Sequence, residues 1–173
     1  MKVIAVMGAG RGSGKTTTVE TLVEELTKRN YKVGTIKQIH EKDFSIDTPK
    51  KDTWRHAKAG ARIVVSSAPH EISVIKKIDK EDRFKEAMHF LEGEDLDIIV
   101  VEGNPSVKAP RIFVARSPAM AKKVLGKIKE DICCIASLSP EKFREKEFEV
   151  PIYHSIKDID KVISSIKEHL PRK

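Results

Sequence analysis

The stretch Gly8-Ala9-Gly10-Arg11-Gly12-Ser13-Gly14-Lys15-Thr16-Thr17 holds the residue types that a polyphosphate tail requires. Glycines let successive backbone N–H groups turn inward toward phosphate oxygens. A helix opening directly afterwards adds unpaired donors and the positive end of its dipole. Lys15 has the reach for the β- and γ-phosphates, the Thr16 hydroxyl suits Mg²⁺, and Thr17 suits the α-phosphate. Gly10, Arg11, Gly12, Ser13 and Gly14 complete the candidate cradle for a nucleotide. The pattern is G-x-x-x-x-G-K-[ST] with one departure. Counted back from Gly14, the first glycine position holds Ala9, and Gly8 lies one residue earlier. Either Ala9 substitutes for that glycine or the loop is one residue longer.

Such a loop works with an acid that holds Mg²⁺, at the end of an apolar strand beside the loop's own strand. Glu102 fits, since it follows Ile98-Ile99-Val100-Val101 and precedes Gly103, where the chain can turn close to a γ-phosphate. Asp97 begins the same run, at the wrong end for the site. A second acid, Asp52, stands in Lys51-Asp52-Thr53-Trp54-Arg55, where it could orient water or Mg²⁺ while Arg55 touches phosphate. The same residues equally make an ordinary helix start. The candidate catalytic residues are therefore Lys15, Glu102 and Asp52, and the candidate metal ligands are Thr16 and Glu102. Lys37 and His40 stand at the end of the second strand, where ligand crevices open in sheets of this kind. His56, His70, His89 and His154 show no metal-ligand spacing. Apart from Arg11 there is no candidate arginine finger in the chain, which predicts slow turnover.

These residues need a frame, and the hydrophobic pattern supplies one. Residues 3–7 are a continuous apolar run, as in a strand covered on both faces, and residues 97–103 read as the strongest buried strand of the chain. A helix over residues 14–29 aligns Val19, Leu22, Val23 and Leu26 at helical spacing, with Asn30 as its C-terminal cap. Further strands are expected at 32–39, 111–115, 131–137 and 151–154. Short helices are expected at 52–58, closed by Gly60, and at 81–91. Ser117-Pro118 opens another in the order cap, then proline. The final helix is expected to bury Ile156, Ile159, Val162, Ile163 and Ile166. Residues 63–65 and 72–75 read as an antiparallel hairpin attached to the main sheet. The sum is an α/β fold: a three-layer, mostly parallel sheet of the P-loop NTPase type with a hairpin appendage.

Length and composition agree. At 173 residues the chain is one domain, 1–173, with a hairpin insertion at about residues 61–78. Hydrophobic residues make up 39% and charged residues 34%, which excludes disorder and a membrane-embedded chain. The short apolar start leads straight into the glycine loop, as a buried strand and not a signal peptide, so the expected location is cytoplasmic. Cys133 and Cys134 are adjacent and point to opposite faces of a strand, so they read as reduced core residues. The net charge is +7, but basic residues alternate with acidic ones and aromatics are only 5%. That argues for a solvated lysine surface over a nucleic-acid footprint. Plentiful Lys and Glu with few amides (Asn30, Asn104, Gln38) is a composition suited to heat.

Taken in order, four segments resemble the molybdopterin-guanine dinucleotide biosynthesis adapter family, MobB. They are Gly12-Ser13-Gly14-Lys15-Thr16-Thr17; Gly34-Thr35-Ile36-Lys37 with His40; Asp47-Thr48-Pro49-Lys50-Lys51-Asp52-Thr53 with Ala59-Gly60-Ala61; and Asp97-Ile98-Ile99-Val100-Val101-Glu102-Gly103. The resemblance implies a GTP-binding, Mg²⁺-dependent protein of the class of signal-recognition-particle GTPases. It implies a homodimer that is at most a slow GTPase and assists a molybdopterin guanylyltransferase-type partner enzyme. Asp52-Thr53-Trp54-Arg55 is also similar to the Asp-Thr-x-Arg element of those GTPases. The chain departs from the family in having Lys50 where glycine is frequent, fewer histidines after Lys37, and Asn104-Pro105 after the Glu-Gly pair. It has no Asn-Lys-x-Asp guanine-reading motif, so residues 136–140 are the candidate substitute. Guanine over adenine comes from the resemblance alone. Two alternatives stand beside this one. A small-molecule kinase on the same scaffold would need an arginine-dense lid, whereas Arg111 and Arg116 are isolated. A nucleic-acid-binding module would lose affinity steeply with salt.

Overall fold

A computed structural model describes residues 1–79, 82–128, 131–144 and 147–171. The chain divides into two compact units, Met1–Gln38 with Ala87–Lys173, and Ile39–Glu86. The first unit opens with β1 (Lys2–Gly8), α1 (Lys15–Lys28) and β2 (Val33–Lys37). The second holds α2 (Asp52–Lys58), β3 (Ile63–Ala68) and β4 (Glu71–Lys76). The boundary back to the first falls within α3 (Arg83–His89). There follow β5 (Ile98–Glu102), β6 (Arg111–Val114), α4 (Pro118–Leu125), β7 (Ile132–Ser137), β8 (Ile152–His154) and α5 (Ile159–Ser165).

Six strands of the first unit form one parallel sheet in the order β2-β5-β1-β6-β7-β8. Alternation within the strands divides the core in two, because successive side chains point to opposite faces. Ile4, Val6, Ile98, Val100, Ile112, Val114, Cys134 and Ala136 share one cluster with Leu22 and Leu26 of α1 and Val162 and Ile163 of α5. Met7, Phe113 and Ile135 form the other with Ala121 of α4. Helices on both faces make this the three-layer, mostly parallel α/β fold that the sequence predicts. A parallel sheet needs such cover, which is why its strands read as unbroken apolar runs.

The helix ends are written locally. Asn30 takes φ 63, Tyr31 N donates to Leu26 O at 3.1 Å, and Asn30 N donates to Thr27 O at 2.9 Å. That is a Schellman closure with asparagine at the left-handed position. Ser117 Oγ accepts from Met120 N at 3.4 Å, with Pro118 in the first turn of α4. Lys50 holds φ 74, a conformation that favours glycine.

Three expectations need correction. The hairpin is present but adds no strand to the main sheet: β3 and β4 pair only with each other as a separate two-stranded sheet. Their alternating, half-exposed pattern suits a ribbon with one covered face, not the interior of a parallel sheet. Ile156 is 46% exposed, since it lies in the turn before α5, where the helical period has not begun. The helix expected at 81–91 is shorter, Arg83–His89, and its expected first residue, Glu81, lies outside the described residues. Cys133 and Cys134 are both free thiols, the second fully buried.

Candidate functional site

β1 is hydrogen-bonded between β5 and β6, so its glycine-rich continuation leaves the sheet at its centre. The loop folds back tightly onto Gly8. A methyl group there would lie 2.5 Å from Ser13 Oγ, 2.8 Å from Lys15 Cγ and 2.9 Å from Val114 O. Ala9 instead packs beside the cluster of Met7 and Phe113, and its N–H donates to Val114 O at 3.1 Å. The space-limited glycine is therefore Gly8, which favours the longer loop. Gly14 caps α1 at φ 101, a left-handed geometry that glycine adopts without strain. Lys15 Nζ donates to Gly10 O at 2.7 Å and to Ser13 Oγ at 3.4 Å, so the amine spans the mouth of the loop.

The decisive long-range contact joins this loop to β5. Thr16 Oγ1 lies 3.1 Å from Glu102 Oε1 and 3.3 Å from Oε2, across 86 residues of sequence. Strand register brings it about: Val6 of β1 and Lys37 of β2 are both partners of Glu102. Lys37 Nζ is 3.4 Å from Glu102 Oε2. A neutral hydroxyl and a single carboxylate are hard oxygen donors that leave positions free for water and phosphate, as Mg²⁺ favours, so the residues present fit that ion. Among the described residues there is no cluster of three or more His, Cys, Asp or Glu that could hold a metal.

Further neighbours shape the site, some of them, such as Gln38, not expected from the sequence. Gly103 lies so close to Gln38 that a Cβ would stand 2.8 Å from Gln38 Cβ, and Gln38 N donates to Glu102 O at 2.9 Å. A glycine directly after a strand-end acid is the sequence signal for such a close approach. Leu138, after β7, lies 3.4 Å from where a Cβ on Gly14 would sit, which puts residues 137–139 beside the phosphate loop. Thr18 Oγ1, buried, bonds Gly14 O at 3.0 Å and Ser155 Oγ at 3.1 Å, tying α1 to the turn before α5. Nothing in the local sequence signals that last pair.

Asp52 and His40 belong to the second unit. Asp52 stands in the first turn of α2, 86% exposed, 3.5 Å from Arg55. Lys51 and not Asp52 is the N-cap, and it makes no side-chain capping bond. Nearby, Thr53 Oγ1 donates to Asp47 Oδ1 at 2.8 Å and Lys58 Nζ sits 5.5 Å from the Trp54 ring centre.

The family described as MobB, molybdopterin guanine dinucleotide synthesis protein B, matches residues 3–138. The chain belongs to the MobB family. The match spans every candidate residue from the phosphate loop to Glu102. A molybdopterin-guanine dinucleotide biosynthesis adapter protein of Haemophilus influenzae is 29% identical over 129 residues, covering 75% of this chain and 71% of the relative. Its Escherichia coli counterpart is 28% identical over 120 residues, 67% of each chain. Among solved structures, Bacillus subtilis MobB superimposes with TM-score 0.73 at 22% identity over the whole of both chains. A MobB homologue from Bacillus stearothermophilus gives 0.71 at 18% identity, covering 97% of this chain and 99% of the other. At such identities the MobB structures establish a shared fold.

Proposed function

We propose that this MobB-family chain is a GTP-binding adapter in molybdopterin-guanine dinucleotide biosynthesis, with slow Mg²⁺-dependent hydrolysis. The observation that carries the proposal is the meeting of Thr16 with Glu102. It joins a phosphate loop to a strand-end acid, the pairing that nucleoside triphosphate chemistry requires. The adapter role is supported by family membership and by the names of the two bacterial relatives.

Residues 10–17 would cradle the phosphates with backbone N–H groups, and Lys15 would exchange Gly10 O for phosphate oxygens. Thr16 and Glu102 would hold Mg²⁺, which offsets charge on the β- and γ-phosphates when bound. Asp52 would orient the attacking water. Hydrolysis stays slow because Arg11 is the sole candidate finger in the loop. Guanine contacts are assigned to residues 136–140, supported by the closeness of Leu138 to Gly14.

The working form is a homodimer, with the hairpin as its interface. Register puts Ile63, Val65, Ile72 and Val74 on one face, and all four are exposed. The partner is a guanylyltransferase-type enzyme and the location cytoplasmic; among the described residues no helix is long and apolar enough to cross a membrane. A competition titration of GTP against ATP with Mg²⁺ tests the proposal. GTP should bind and outcompete ATP, and Lys15→Ala should abolish binding of both. Undiminished affinity in Lys15→Ala would overturn the phosphate assignment.

A further inference from the structure

Lys37 has no part in the chemistry above, yet it stands against the acid on which that chemistry depends. Lys37 and Glu102 are register partners at the ends of β2 and β5, so their side chains leave the sheet on one face. That is the face of α1, because Glu102 follows Ile98 and Val100 at two-residue spacing and both pack with Leu22 and Leu26. Glu102 is only 11% exposed, so water screens its charge poorly. Thr16 offers it a neutral hydroxyl, and Lys15 is engaged with Gly10 and Ser13. Among the described residues, the cation within ion-pair distance of Glu102 is Lys37. Its side chain is 56% exposed and its flexible stem lets the ammonium swing out toward water.

We infer that Lys37 is a built-in counter-ion, which neutralises Glu102 until a divalent cation arrives and so lets phosphates enter the loop without one. This assignment rests on the nucleotide-binding function proposed above. A poorly solvated carboxylate beside a triphosphate repels it, and the lysine ammonium removes that repulsion. Once a divalent cation supplies the charge, Lys37 is dispensable and can withdraw. Lys37 is thus a positioning and charge-balancing residue that makes nucleotide binding less dependent on Mg²⁺.

The test is nucleotide affinity by calorimetry, in excess EDTA and in saturating Mg²⁺, for the wild type, Lys37→Met and Lys37→Arg, with circular dichroism to verify folding. Lys37→Met keeps the stem and removes the charge. It should lose about tenfold or more in EDTA and far less in Mg²⁺, the scale expected of a close charge pair, while Lys37→Arg stays near wild type. In a Glu102→Gln background the Lys37→Met effect in EDTA should vanish, since no charge is left to balance. Equal losses in both conditions, or no loss in EDTA, would overturn the counter-ion role. If the wild type bound no nucleotide under either condition, the proposed function would fail and this role with it.

Discussion

At Gly8 the space for a single methyl group separates a working loop from a distorted one. Gly8→Ala forces Ser13, Lys15 or the Val114 carbonyl to move, an overpacking worth roughly 1–3 kcal/mol. The expected outcome is a folded protein with a lower melting temperature and weakened GTP binding, read by thermal denaturation and titration. The sequence singles out the phosphate loop because glycines, lysine and threonine act within ten consecutive residues. It leaves Gly8 and Ala9 undecided, because the choice turns on Val114, a residue of another strand. The cysteines show the same dependence on surroundings. Burial pushes the Cys134 thiol up to about 11 and raises Cys133 less. Cys134 should therefore resist alkylation at pH 8 in the native protein and react once unfolded, as thiol counting with and without denaturant would show. The sign for stability follows. The unfolded thiol ionises near 9.0 while the folded one holds its proton, so this group lowers stability as pH rises from about 9 toward 11.

Individual elements owe their ends to single residues. Ser117 caps α4 through Met120 N, and Ser117→Ala should cost about 1 kcal/mol, measured by denaturant unfolding. Lys50 takes a left-handed conformation that strains an L-residue by roughly 1–2 kcal/mol. Lys50→Gly relieves that strain and should raise the melting temperature by a few degrees in thermal denaturation; an unchanged or lower value would contradict the strain. Elements of this kind are legible in a sequence, because caps and apolar periods are local. The unbroken runs of β1 and β5, the α1 stripe and the Ser117-Pro118 start all stand where periodicity and capping rules put them. What is not local is not legible. The insertion of β5 between β2 and β1 sets Lys37 against Glu102, and only register reveals it.

For the molecule as a whole, the central sheet and the hairpin pose different problems. A parallel sheet covered on both faces has a complete core, whereas the two-stranded β3–β4 sheet leaves Ile63, Val65, Ile72 and Val74 exposed on one face. A patch of that kind marks an interaction surface. In the proposed hairpin-mediated homodimer, Val65→Lys should shift the sedimentation of the protein toward monomer while the main sheet keeps its circular dichroism; unchanged sedimentation would contradict the hairpin as the interface. The turn between β1 and α1 is the proposed seat of a triphosphate. A crystal structure with a non-hydrolysable GTP analogue and Mg²⁺ tests it most directly. It should show the phosphates within residues 10–17, with the ion between Thr16 and Glu102; phosphates bound anywhere else would contradict it.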